Sequence, residues 1–332
     1  MTISSYDSFE TEFFVKLRKE SKKCLKIIDE NQKLIEFNLC EKDLYQVRKF
    51  VSTFNDIVLD KGIEKYKLFN EVLKHPLLST VLAQFRESDV LVRACKNGNV
   101  NAVKWLLTMN INYGVQDEFG ATALMYAAKC SILDFAIKEI MDTNGKHIHL
   151  VDKEGNSVIF YAAENYITFS EIIKYKDKFD FNALNNRNEN LILYCSRNRK
   201  ISSARAIDFL NLLYKYNNNG INFENDNGKT AAMYLAEGFR YRELYYFVKK
   251  FKVDPNFKSK LGNTLTSVFI KKYYQIYMNR IIEKEGFCLN NQLFKKAIAT
   301  LDCLCNIGCD VNVPIDEDGT TMLMICSKLH DD

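Results

Sequence analysis

The stretch Gln116-Asp-Glu-Phe-Gly-Ala-Thr-Ala-Leu-Met-Tyr-Ala-Ala128 sets the reading frame for the whole chain. Asp117 stands three residues before Gly120, Thr122 follows two further on, and an apolar run ends in two adjacent small residues. The frame returns as Asp152, Gly155, Ser157, Ile159 and Ala162-Ala163. It returns with substitutions at Asn185, Asn225 and Ser259, and again at Asp316, Gly319, Thr321 and Leu323. A recurrence of roughly 33 residues marks a stacked array, whose short elements bury their apolar faces only against their neighbours.

Within each frame the residue types suit a turn followed by two short helices. Asp, Asn and Gly in the turn bond their own backbone or accept a positive φ. The small pairs Ala94-Cys95, Ala127-Ala128, Ala162-Ala163 and Cys195-Ser196 let a first helix lie close to its neighbours. Gly98 is placed for a positive φ between the two helices. The loops 110–117, 145–152, 178–185, 218–225 and 252–259 share one length, which unrelated helical hairpins would not keep.

This pattern resembles the ankyrin repeat from about Asp89 to the C-terminus. The resemblance implies an all-α fold, an ankyrin-type α-solenoid of helix-turn-helix repeats with projecting β-turn fingers. Repeats are expected near 89–116, 117–151, 152–184, 185–224, 225–258 and 259–315, with a partial one at 316–332. Several positions depart from the frame. Ile167 stands where the inter-helix glycine of the third repeat is expected, and Asn188 and Asn190 replace Gly and Thr in the fourth. The fourth turn, 197–204, is lengthened, the fifth keeps Gly228, Thr230 and Gly238, and the sixth carries an insertion around 271–295. The half-repeat at the end reads either as a fragment of something longer or as a degenerate terminal cap at 322–329.

Residues 1–88 lack the frame and form a second region, a helical hairpin or bundle. Phe9, Phe13, Leu17, Cys24, Ile28 and Ile35 mark one apolar stripe on a helix of about 30 residues. Leu44, Val47, Phe50, Val51, Phe54, Ile57 and Val58 mark a second over 41–60, stopped by Lys61-Gly62. Tyr66, Phe69, Val72 and Leu73 mark a third, interrupted by Pro76, and a short helix follows around Leu78, Leu82 and Phe85. The region reads as a cap over the apolar end of the array, with dimerisation or docking as alternatives. Trp105, the single tryptophan, is expected to pack against these helices.

Composition narrows the function classes. The chain has 332 residues, 47% of them hydrophobic, and a formal net charge of +4 from 46 basic and 42 acidic side chains. That balance supplies no global field for nucleic acid. The ten cysteines form no CxxC pair. They read as free thiols in small core positions, which points to a reducing cytoplasmic or nuclear setting. The start of the chain shows no apolar h-region. No P-loop, nucleophile elbow, zinc-binding HExxH or kinase motif set occurs, so no catalytic residue, cofactor or metal site is assigned. His147 and His149 read as surface histidines in a finger.

The expected activity is therefore that of a protein–protein interaction scaffold with no small-molecule substrate. Carried over by register, the resemblance places partner contacts on the finger tips and on the exposed side of the first helices. These are Glu118, Phe119, Ala121, Lys129 and Cys130 in the second repeat, and Lys153, Glu154, Asn156, Glu164 and Asn165 in the third. The fourth contributes Asn186, Arg187, Glu189, Arg197 and Asn198, and the fifth Asp226, Asn227 and Lys229. Phe119 stands out, since a large apolar side chain at a finger tip has no core reason to be there. By the same register Tyr126, Tyr161, Tyr194 and Tyr234 face inward between helices. Two alternatives remain. The 240–280 segment holds ten basic residues, among them Arg240, Arg242, Lys249, Lys250, Lys271 and Lys272, against Glu243 and Asp254. With its interleaved tyrosines it would suit nucleic acid or an anionic membrane. The unfinished last repeat would suit the targeting arm of a larger multidomain protein.

Overall fold

The computed structural model describes residues 5–60, 66–143, 145–198, 203–216, 220–282, 292–314, 318–321, 324 and 327. Among these the structure is helical, with one isolated antiparallel bridge between Gln116 and Thr122. The helices are α1 (Tyr6–Arg18), α2 (Lys23–Glu30), α3 (Gln32–Asn38), α4 (Leu44–Val58), α5 (Tyr66–Leu73) and α6 (Ser79–Arg86). They continue as α7 (Val90–Lys96), α8 (Val100–Leu106), α9 (Ala123–Lys129), α10 (Asp134–Met141), α11 (Val158–Ala162) and α12 (Tyr166–Ile172). The last six are α13 (Leu191–Arg197), α14 (Ser203–Tyr216), α15 (Ala231–Glu237), α16 (Tyr241–Phe251), α17 (Leu265–Ile282) and α18 (Gln292–Ile307). The chain forms two compact units, Met1–Lys153 with Ile167–Tyr175, and Glu154–Tyr166 with Lys176–Asp332.

In the first unit, the apolar stripe of Phe9, Phe13, Leu17, Cys24, Ile28 and Ile35 is fully buried. It is shared by α1, α2 and α3, however, and not carried on one long helix. The break falls at Glu20, held at φ +50, with its N–H and that of Ser21 turned back to the carbonyls of Leu17 and Lys16. The turn lets the segment fold on itself. Phe13 and Phe14 both reach Phe50 on α4, with ring centroids 5.4 and 4.7 Å apart. Asp43 caps α4 by accepting the Gln46 N–H at 3.0 Å. The stripe of α4 is buried except at Leu44, and the expected stop at Lys61-Gly62 lies outside the described residues. Pro76 ends the α5 segment as expected, opening a 3-10 turn before α6.

Trp105 on α8 packs where the sequence places it. Its ring stacks on Tyr66 at 5.2 Å and lies within 6.0 Å of Phe69 and Phe85. Arg86 donates to the Met109 carbonyl and Asn99 to that of Leu59. Helices α4 to α6 thereby form a layer against α7 and α8. The pair α9 and α10 follows, with Gly98 at φ +63 in the turn between α7 and α8. Cys95 fills the second small position of its pair, and burial pushes its thiol up to about 12.

In the second unit, α15 packs on α13 and α17, and α16 packs on α14 and α18. First and second helices thus form separate rows. The substitutions of the fourth repeat preserve its geometry: Asn188 adopts φ +53 in place of glycine, and Asn190 caps α13 by accepting the Leu193 N–H at 2.9 Å. Asparagine tolerates the left-handed region because its short side chain bonds locally. One expectation is corrected: Ile167, which belongs to the first unit, lies inside α12 and not in a turn. Between α15 and α16 the left-handed residue is Phe239 (φ +55), next to Gly238, and the buried Phe239 ring meets Phe269 edge-on at 5.6 Å. The start of the insertion extends α17 to eighteen residues, against seven in α13 and α15. Of the lengthened turn expected at 197–204, residues 199–202 lie outside the described residues, as does most of the last half-repeat.

Candidate partner-binding face

One turn, built four times, sets the finger geometry. Asp117 Oδ1 accepts the N–H groups of Phe119 and Ala121, both at 3.0 Å. Asn185 Oδ1 does the same for Arg187 and Glu189 at 3.0 Å, and Asn225 Oδ1 for Asn227 and Lys229 at 3.1 Å. Ser259 makes the shorter version, its hydroxyl accepting from Asn263 N–H at 2.9 Å. Neighbouring fingers are joined through the backbone, Lys153 N–H to Phe119 O and Asn186 N–H to Glu154 O. Gly120 is needed twice over: it sits at φ +77, and a Cβ there would lie 2.9 Å from the Lys153 nitrogen. The tips are therefore rigid platforms.

Beside the fingers lies a recurring group of tyrosine, cation and acid. In the first unit the Tyr126 hydroxyl donates to Asp117 Oδ2 at 2.7 Å. Lys96 lies over the rings of Tyr126 and Phe119, and within 3.5 Å of Asp117 and Glu118. Burial and the Asp117 carboxylate push the Tyr126 hydroxyl up to about 12. In the second unit Tyr194 donates to Glu164 Oε1 at 2.9 Å and Arg197 covers its ring. The Tyr234 hydroxyl accepts from Asn225 at 2.9 Å under Lys229. All four tyrosines are half-buried, so the inward-facing reading is only partly right: the rings close the core, while those of Tyr126, Tyr194 and Tyr234 lie under cations.

The same register carries an ion pair whose charges reverse between two successive repeats. Arg197 Nε approaches Glu189 Oε1 at 2.7 Å without hydrogen-bond alignment, and its Nη2 donates to Oε2 at 3.1 Å. One repeat on, Lys229 meets Glu237 at 2.8 Å. Each pair brackets the first helix of its repeat, eight residues apart.

Among the expected contact residues, Glu118, Phe119, Lys129 and Lys153 are exposed in the first unit. In the second unit Glu154, Arg187, Asp226 and Asn227 are exposed, while Glu164, Asn165, Arg197 and Lys229 are half-buried. Arg187 pairs with Glu154 at 3.0 Å. Ala121, Asn156 and Glu189 are corrected, because all three are buried. Asn156 accepts from Asn185, and Glu189 takes Asn185 and Arg197, so these two side chains stabilise the stack and present no surface. In the basic segment, Lys249 and Lys250 are exposed near the end of α16 and Lys271 is exposed on α17, where Lys272 donates to Gln275. Arg242 is exposed at the start of α16, while Arg240 is turned onto Glu243 and the carbonyls of Ser196 and Asn198.

Sequence reasoning missed two features. Leu261 is 65% exposed and occupies the finger position that Phe119, 56% exposed, holds in its own repeat. The signal was present, since Ser259-Lys-Leu-Gly262 repeats the register of Asp117-Glu-Phe-Gly120. Lys96 was also missed, because it comes from the preceding repeat.

A family model described as "Ankyrin repeats (3 copies)" matches residues 66–137 and 91–182. The ankyrin repeat domain of human ASB11 superposes with a TM-score of 0.53 at 13% identity, covering 71% of this chain and 90% of that one. The ankyrin repeat domain of Bcl-3, a member of the IkappaB family, gives a TM-score of 0.48 at 13% identity, with 71% and 92% covered. A chain from the Bd0816 predatory endopeptidase–immunity protein Bd3460 complex of Bdellovibrio bacteriovorus gives 0.46 at 24% identity, with 57% and 94% covered. No curated protein sequence matches significantly. The first match starts at Tyr66, upstream of the sequence-based frame at Asp89.

Proposed function

The chain is an ankyrin-repeat protein, and from that premise we propose that it acts as a non-catalytic adaptor whose fingers and first-helix faces hold a protein partner. The observation that carries the reading is the pair of exposed apolar tips, Phe119 in one unit and Leu261 in the other. Both sit on turns locked by their own side-chain hydrogen bonds. A platform already ordered loses little entropy on binding, so an apolar anchor there delivers most of its contact energy. Exposed finger charges, Glu118 in the first unit and Glu154, Arg187 and Asp226 in the second, supply specificity, where ion pairs add little affinity.

The test uses the partner that the full chain captures from native lysate. Phe119→Ala combined with Arg187→Glu is expected to lower its recovery by roughly tenfold or more, with an unchanged melting temperature. Equal recovery by the variant and the unmodified chain would overturn the reading.

A further inference from the structure

A cavity of about 470 Å³ in the second unit is lined by the turn 238–240 and by the opening turns of α16 and α18. Its acid is already matched: Glu243, buried, faces the Arg240 guanidinium at 3.3 Å. Arg240 Nη1 also donates to the carbonyls of Ser196 and Asn198. That leaves Arg242, Lys295 and Lys296, all exposed, as cations with no further acid among the described lining residues. Arg242 is held in place, its Nε donating to the Tyr241 hydroxyl at 3.1 Å and its guanidinium lying over the Tyr241 ring. Helix α16 opens on Arg240, whose side chain offers no acceptor to the first-turn N–H groups. The helix end adds a positive potential of its own, offset in part by Glu243 in the first turn.

We propose that this cavity binds a phosphate-bearing group, with Arg242 as the planar fork and Lys295 and Lys296 as point charges around it. The volume lies in the range of small-molecule sites and suits a diphosphate or a single phosphorylated side chain, not a nucleic-acid duplex. This site is independent of the finger tips, and it draws only Arg240 and Arg242 from the basic segment read in the sequence.

The experiment is calorimetric titration of the full chain at about 50 mM salt, where exposed charges are weakly screened. One arm uses inorganic pyrophosphate; the other uses a phosphoserine peptide and its unphosphorylated twin. Binding in either arm supports the site and identifies the source, free phosphate compound or modified side chain. Arg242→Ala with Lys295→Ala and Lys296→Ala should weaken that binding by about tenfold or more. Lys295→Arg with Lys296→Arg should retain it. Lys249→Ala with Lys250→Ala, on the same helix but outside the cavity, should leave it unchanged. Absence of binding in both arms at millimolar ligand overturns the proposal. So does equal weakening by the Lys249/Lys250 variant, which would show a diffuse basic surface of the kind that binds RNA or membranes.

Discussion

Asp117 serves four partners with one carboxylate: the turn N–H groups of Phe119 and Ala121, the Tyr126 hydroxyl and Lys96. Burial by itself would raise its pKa, but the Tyr126 hydroxyl, the two N–H groups and Lys96 together hold it below the ordinary carboxylate value. A depressed folded pKa adds stability that is present above the unfolded value of about 3.9 and is lost as pH falls through the folded value. Asp117→Asn keeps the turn bonds, as Asn185 and Asn225 do, so at neutral pH it should cost only the charge-dependent part of that stability. It should also flatten the acid limb of melting temperature against pH below about 4. Asp117→Ala should cost about 1–2 kcal/mol at neutral pH, because two turn N–H groups lose their acceptor. An acid limb identical in Asp117→Asn and the unmodified chain would contradict this account. The Glu189–Arg197 pair provides a second test. Arg197→Ala strands a buried carboxylate and should destabilise by about 3 kcal/mol in urea unfolding. The double swap Glu189→Lys with Arg197→Glu reproduces the polarity of Lys229–Glu237 and should recover more than half of that loss. Additive damage from the two swaps would mean that the register does not tolerate both polarities.

Among the elements, the break between α1 and α2 is the least expected. The six stripe residues stay at helical spacing across it, so periodicity continues where the helix does not, and neither Gly nor Pro announces the turn. Glu20 carries the left-handed conformation, which costs an L-residue about 1 kcal/mol. Glu20→Gly should therefore raise stability by about 0.5–1 kcal/mol, read as a higher urea midpoint. A lower midpoint would show that the Glu20 side chain contributes more than its backbone costs. The caps were more legible. Thr122, Asn190 and Thr230 each accept the N–H three residues on, as their residue types and positions imply. Phe239 is the opposite case. Its left-handed φ is held by the burial of its ring, which local sequence rules do not register.

At the scale of the molecule, two compact units of stacked helices should not unfold as one. In a stacked array each layer touches mainly its neighbours, so cooperativity fades with distance along the chain. Trp105 is the single tryptophan and lies in the first unit. Tryptophan fluorescence should then report that unit alone, while far-UV circular dichroism reports all helices. The two urea transitions are expected to differ in midpoint, and coincident curves would show one cooperative system.

The chain by itself determined the repeat frame, the turn acceptors, the caps and the small pairs. The turn acceptors and caps are settled by backbone sterics and hydrogen bonds within about nine residues, as Asp117 and Tyr126 illustrate. Only the tertiary structure decided that Asn156 and Glu189 are buried, that Lys96 roofs the ring of Tyr126, and that Lys295 and Lys296 line one cavity with Arg242. Most of those outcomes depend on which helix faces meet after stacking, between residues about 30 to 50 positions apart. No local preference specifies that meeting; burial and charge pairing across the stacked layers do.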